Sequence, residues 1–173
     1  MKKVLIVVDM QNDFVDGALG TAEAVAIVDS VVKKIETFDG EIIATYDTHE
    51  ENYMETREGK YLPVPHCIKG TQGWQLNEEA RQALEARGYK VIHKPTFGST
   101  KLVEYLKDCD EKNTCVELVG LCTDICVVSN ALLLKANYPE MDIIVDASCC
   151  AGVTPETHEA ALTTMKMCQI QII

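Results

Sequence analysis

An α/β fold is predicted, with three α/β/α layers around a six-stranded, mainly parallel sheet of Rossmann-like type. Two features of the 173-residue chain point to it: short β-branched apolar runs recur along it, and helical periodicity fills most of the gaps between them. The runs are Val4 to Val8, Glu41 to Tyr46, Lys90 to His93, Cys115 to Val119, Asp142 to Val145 and Gln169 to Ile173. They are nearly continuous in apolar character, the pattern of strands covered on both faces. Helical stretches lie at Ala22 to Phe38, Asn77 to Arg87, Thr100 to Lys107, Asp124 to Ala136 and Pro155 to Met167. The last has the clearest start, because Thr154 can cap it, Pro155 suits the first helical position, and Glu156 and Glu159 complement the positive end of the dipole.

With 47% hydrophobic residues, the chain can bury one sizeable core and is short for two, so residues 1–173 are expected to form a single domain. The alternation breaks from Asp47 to Gly73, where Gly59, Pro63, Pro65, Gly70 and Gly73 interrupt any periodicity. An irregular insertion of that length in a compact domain is usually functional.

Charge narrows the partners. Sixteen Lys and Arg against 27 Asp and Glu give a formal net charge of −11, with no basic cluster to offset it. Such a field repels nucleic acid and anionic lipid and favours a small, neutral or weakly charged substrate. The apolar run after Met1-Lys2-Lys3 stops at Asp9, too short for a secretion signal, and no other segment approaches a membrane span. Eight cysteines beside a well-patterned core read as reduced thiols in a cytoplasmic protein.

In open parallel sheets ligands bind beyond the carboxyl ends of the strands. Four predicted ends carry reactive groups: Asp9-Met10-Gln11-Asn12-Asp13-Phe14, Asp47-Thr48-His49, His93-Lys94-Pro95 and Gly120-Leu121-Cys122-Thr123-Asp124-Ile125-Cys126. Cys126 falls in the first turn of the following helix, where free N–H groups and the dipole are expected to lower a thiol pKa, with Lys94 lowering it further. The same amides could hold a developing oxyanion. Asp9, at the end of an apolar strand, is placed to have a raised pKa and to act as base. Taken singly, Asp9 also suits a capping role, Cys126 a small core residue and Lys94 a solvated strand end. It is the combination that points to acyl transfer.

Asp47, His49 and His66 form a second set, one carboxylate and two imidazoles that suit Zn, Fe or Mn with positions left for water or substrate. Loop histidines are ordinarily surface residues, and spacing alone leaves both readings open.

The Asp9–Phe14, Lys94–Thr100 and Gly120–Val127 segments together resemble the isochorismatase-like cysteine hydrolases, over nearly the whole chain. The resemblance implies an Asp9, Lys94 and Cys126 triad. It also implies a cis peptide bond at Leu121–Cys122 that turns the amides of Cys122 and Cys126 toward one oxyanion. Within the superfamily, the Asp47-x-His49 and Pro65-His66 pairs resemble the metal set of nicotinamidases, which holds the pyridine nitrogen. That implies a linear-amide hydrolase converting nicotinamide to nicotinate and ammonia, as in NAD salvage, with pyrazinamide as a further substrate. One divalent ion is expected, zinc foremost. Some nicotinamidases add a ligand before the last histidine, and Glu58 lies in the right region.

Phe14 is expected to stack on the pyridine, with Tyr61, Leu62 or Trp74 as the other wall, since Pro63 stands where these enzymes often carry an aromatic ring. Family members are often dimers or tetramers. A related reading is hydrolysis of another small amide, carbamoyl or ureido, with the loop histidines idle. A third is a redox or metal-delivery pair formed by Cys122 and Cys126, which would leave Asp9 and Lys94 without purpose.

Overall fold

The computed structural model describes residues 1–173. Its strands are β1 (Lys2–Val8), β2 (Glu41–Asp47), β3 (Lys90–Lys94), β4 (Thr114–Leu121), β5 (Asp142–Ala151) and β6 (Gln171–Ile172). They form one sheet in the order β3-β2-β1-β4-β5-β6, and every neighbouring pair is parallel. The sheet is therefore all parallel rather than mainly so.

The helices are α1 (Asn12–Val15), α2 (Ala22–Ala26), α3 (Val28–Thr37), α4 (Arg57–Tyr61), α5 (Glu78–Arg87), α6 (Thr100–Leu106), α7 (Val128–Asn137) and α8 (Pro155–Met167). Side chains alternate across β1, so the sheet feeds two cores. Leu5 and Val7 join Val31, Ile35 and Leu84 on one face, while Val4, Ile6 and Val8 join Leu102, Leu134 and Met165 on the other. Apolar burial on both faces accounts for the continuous hydrophobic runs. No helix is long and apolar enough to cross a membrane.

Several boundaries differ from the pattern-based expectation; β5, expected to end at Val145, runs on to Ala151. The stretch Ala22 to Phe38 is two helices, divided at Ile27. The helix expected from Asp124 begins as a π-helical turn, Thr123–Val127, that runs into α7. The Asp47 to Gly73 insertion contains a 3₁₀ turn at Tyr53–Glu55 as well as α4, whose Thr56 cap accepts from the Gly59 N–H. Capping side chains set the other starts: Asn77 accepts from Glu79 and Ala80 at α5, and Thr154 with Thr157 forms a reciprocal cap at α8.

Candidate active site

Parallel register puts the reactive residues at one edge of the sheet. Val8 lies opposite Thr45 on one side and Gly120 on the other, and Asp47 lies opposite Lys94. Asp9, Asp47, Lys94 and the exit of β4 therefore share the carboxyl end. Gly120 is required there: its φ is +112°, and a Cβ would sit 2.2 Å from the Val8 carbonyl oxygen.

Lys94 is the centre of the cluster. Its buried Nζ lies 2.6 Å from Asp9 Oδ2, 3.3 Å from Asp47 Oδ1 and 3.4 Å from Cys126 Sγ, and donates to the Thr96 carbonyl at 3.1 Å. Burial disfavours the ammonium, but its acidic neighbours, Asp9 first and then Cys126 and Asp47, outweigh it and hold the pKa far above the usual lysine value.

Asp9 is fully buried with φ +46°. Its Oδ1 accepts from the Thr45 hydroxyl at 2.6 Å. Its Oδ2 makes the ion contact with Lys94 but receives no well-aligned hydrogen bond. Burial raises the Asp9 pKa, with Lys94 opposing, and the net direction is up, as expected from its place at a strand end.

Cys126 departs from expectation. Its thiol is pushed well above the ordinary cysteine range, chiefly by burial and then by the charge of Asp9, with Lys94 opposing. A helix N-terminus lowers a thiol pKa when the sulfur is partly solvated. Here the residue is only 4% exposed and faces a carboxylate, so the resting species is the thiol. Burial likewise pushes Cys122 up to about 12, which argues against a ready redox pair. The remaining buried thiols, Cys67, Cys149 and Cys150, are also raised by burial.

The Leu121–Cys122 peptide bond is cis. Beyond it, the Ile125 and Val127 N–H groups both return to the Cys122 carbonyl, which winds the turn that carries Cys126.

Asp47, His49, Glu58 and His66 offer ligand atoms that all lie within 4.8 Å of one another. His49 Nε2 is 3.0 Å from Asp47 Oδ2 and 3.6 Å from Glu58 Oε1, while His66 Nε2 is 3.6 Å and 3.7 Å from the same two oxygens. Four ligands about 2.0–2.2 Å from a tetrahedral ion stand roughly 3.3–3.6 Å apart, so the donor set fits a zinc-sized cation. His66 Nδ1 bonds the Val64 carbonyl at 2.9 Å, which aims Nε2 into the cluster. Burial works against the Asp47 carboxylate, but hydrogen bonds from His49 and His66 and the charge of Lys94 hold its pKa well below the usual range.

Phe14 and Leu62 line a cavity of about 40 Å³ with Phe97, Ile125, Cys122 and Cys126, and Asp47, Glu58 and His66 reach its other wall. Trp74, expected as a wall of the ring site, does not line this cavity. It stacks on His93 at 5.7 Å, and its indole N–H donates to the Thr48 hydroxyl at 2.9 Å, so it packs beside β3 outside the cavity. Tyr61 is 79% exposed and also outside it. A larger hollow of about 470 Å³ opens elsewhere, by Lys34, Glu117 and Cys115. Its Lys34 is already paired with Glu117 and Asp146, and none of its lining residues belongs to the cluster of reactive groups.

Sequence reasoning misses Gln11 and Thr45. Gln11 is fully buried and clamps Asp47, donating to its carbonyl at 2.8 Å and accepting from its N–H at 2.7 Å. The available signal was a glutamine just past a buried strand, where an unpartnered amide would be costly.

Residues 3–173 match the isochorismatase domain family. The chain belongs to that family. A nicotinamidase/pyrazinamidase of Mycobacterium tuberculosis is 29% identical over 190 aligned residues, covering 99% of this chain and 98% of the relative. The crystal structure of a nicotinamidase/pyrazinamidase from Bacillus subtilis is 28% identical and superposes with a TM-score of 0.86, covering 99% of each chain. A Pyrococcus horikoshii pyrazinamidase, solved in complex with zinc, is 29% identical with a TM-score of 0.80, covering 100% of this chain and 99% of that one.

Proposed function

We propose that residues 1–173 form a single hydrolase domain that acts as a nicotinamidase, converting nicotinamide to nicotinate and ammonia through a thioester on Cys126. The observation that carries the reading is the buried contact of Lys94 with both Asp9 and Cys126, next to a four-residue donor cluster whose Asp47, Glu58 and His66 line the cavity that Cys126 also lines. Similarity to nicotinamidase/pyrazinamidases over nearly the full length supports it.

A metal, zinc by preference, would be held by Asp47, His49, His66 and Glu58, and when bound it would supply a Lewis-acidic position for the pyridine nitrogen. The chain's own residues do the rest. Phe14 and Leu62 flank the ring and direct the carboxamide at Cys126. Asp9 Oδ2, with lone pairs free of aligned donors, takes the thiol proton as sulfur attacks the carbonyl carbon. Lys94 stabilises the charge that moves onto the sulfur, and the amides of Cys122 and Cys126 receive the carbonyl oxygen's charge. Asp9 then gives its proton to departing ammonia and activates the water that cleaves the thioester. The eight free cysteines support a cytoplasmic location, and the resemblance to the family supports a dimeric or tetrameric assembly.

The competing reading, a carbamoyl or ureido amide as substrate, lacks a use for the four-ligand cluster. Parallel ammonia-release assays on nicotinamide and such amides, with elemental analysis of the purified protein, separate the two. The expected result is turnover of nicotinamide, loss of at least about a thousandfold in Cys126→Ala, and loss of bound metal in His66→Ala. Preference for a ureido amide with unchanged metal content in His66→Ala would reject the proposal.

A further inference from the structure

The turn bearing Cys126 is fixed from two sides, and one side depends on a single buried amide. Asn130, the third residue of α7, is fully buried four positions after Cys126. Its Nδ2 donates to the Cys126 carbonyl at 2.8 Å and to the Phe97 carbonyl at 3.1 Å, and its Oδ1 accepts from the Ser99 N–H at 2.9 Å. Asparagine is a poor helix former and costly to bury, yet here both donors and the acceptor are matched to backbone groups.

We propose that Asn130 is a positioning residue: its carboxamide locks the Cys126 turn to the segment Lys94–Ser99, which carries the cation and the Phe97 wall. The inference rests on the reading of Cys126 as nucleophile. The contacts close a ring, because Lys94 Nζ touches both Cys126 Sγ at 3.4 Å and the Thr96 carbonyl at 3.1 Å, within the segment that Asn130 grips. On its other side the turn is tied by Thr123 Oγ1 to His158 Nδ1 at 2.8 Å and by the Val153 N–H to the Asp124 carboxylate at 3.1 Å and 3.2 Å. Loss of Asn130 therefore frees the side that faces Lys94 and leaves the turn attached to α8. A displacement of about 1 Å between reacting groups can cost a hundredfold in rate.

Three substitutions in the purified full-length protein separate donor chemistry from volume. Asn130→Asp keeps the size and the Ser99 contact but sets oxygen against two carbonyls. Asn130→Ala removes all three bonds, and Asn130→Ser keeps a hydroxyl that can reach the carbonyl four residues back. The expected kcat for nicotinamide falls about 10-fold in Ser and about 100-fold in Ala and Asp, with KM within about threefold.

A second readout needs no substrate: the pH dependence of Cys126 alkylation by iodoacetamide, followed by peptide mass. Among the charged groups around the thiol, Asp9 and Asp47 oppose its ionisation and Lys94 favours it. Its half-ionisation pH is expected to move up in Ala and Asp as Lys94 is released. A parent enzyme inert toward nicotinamide would reject the functional reading while leaving the alkylation test intact. Asp matching the parent in both kcat and alkylation would overturn the positioning role. Should Ala and Asp fail to fold, Asn130→Ser decides, and a parent-like kcat in it would equally overturn the proposal.

Discussion

At Lys94 an ammonium sits among two carboxylates and a thiol, almost wholly shielded from solvent, and each neighbour's protonation depends on it. The consequence for pH is specific. Burial raises the Asp9 pKa despite Lys94, so the base form is lost as pH falls through a value above that of a free carboxylate, about 4. The acid limb of kcat/KM should therefore lie above pH 4, roughly, and should vanish along with activity in Asp9→Asn. Lys94 and Cys126 are both shifted upward, so neither should impose a limb between neutrality and about pH 8.5. A pH-rate profile that instead climbs with thiolate formation above pH 8, roughly, would show a pre-ionised nucleophile and contradict this arrangement.

At this scale the sequence was informative where chemistry is unusual: a carboxylate ending an apolar strand, a lysine ending another, a cysteine after a glycine-bearing exit. It was silent on Thr45, Gln11 and Asn130, because an ordinary polar residue becomes recognisable only when the backbone groups it satisfies are known. It misled on Trp74, whose side chain serves the packing of β3 through Thr48 and His93.

Among the elements, strands and helices were legible because burial on two faces writes continuous apolar runs and amphipathic helices write a 3.6-residue period. What periodicity could not register was the winding of the Thr123–Val127 turn, which depends on two amides sharing the Cys122 carbonyl, or the break at Ile27 between α2 and α3. The exit of β4 is the element most sensitive to substitution. Gly120→Ala would force a side chain into the Val8 carbonyl at a φ of +112°. Strain of that kind costs about 1–3 kcal/mol before the clash is counted. Urea unfolding should show a loss of at least about 2 kcal/mol, and a variant as stable as the parent would mean that β1 and β4 can separate there at little cost.

For the whole molecule, the parallel order β3-β2-β1-β4 is what brings residues 9, 47, 94 and 126 to one end, from four separate strand exits. Fold class was readable from alternation alone, but convergence was not, since it depends on strand order and register. Of these residues, Asp47 and Cys126 line a cavity of about 40 Å³, with Leu62 and Phe97 partly exposed at its wall and Asp9 and Lys94 buried outside its lining. A ligand reaches the cavity past Leu62 and Phe97, while Asp9 and Lys94 are held by buried bonds.

The central claim is that the Cys126 sulfur becomes acylated with Asp9 and Lys94 in attendance. Acid quenching during nicotinamide turnover, followed by peptide mass analysis, tests it most directly. The account predicts a nicotinoyl thioester on the peptide containing Cys126, absent in Cys126→Ala. Steady ammonia release with that cysteine unmodified at every quench time, or an adduct on a different thiol, would contradict it.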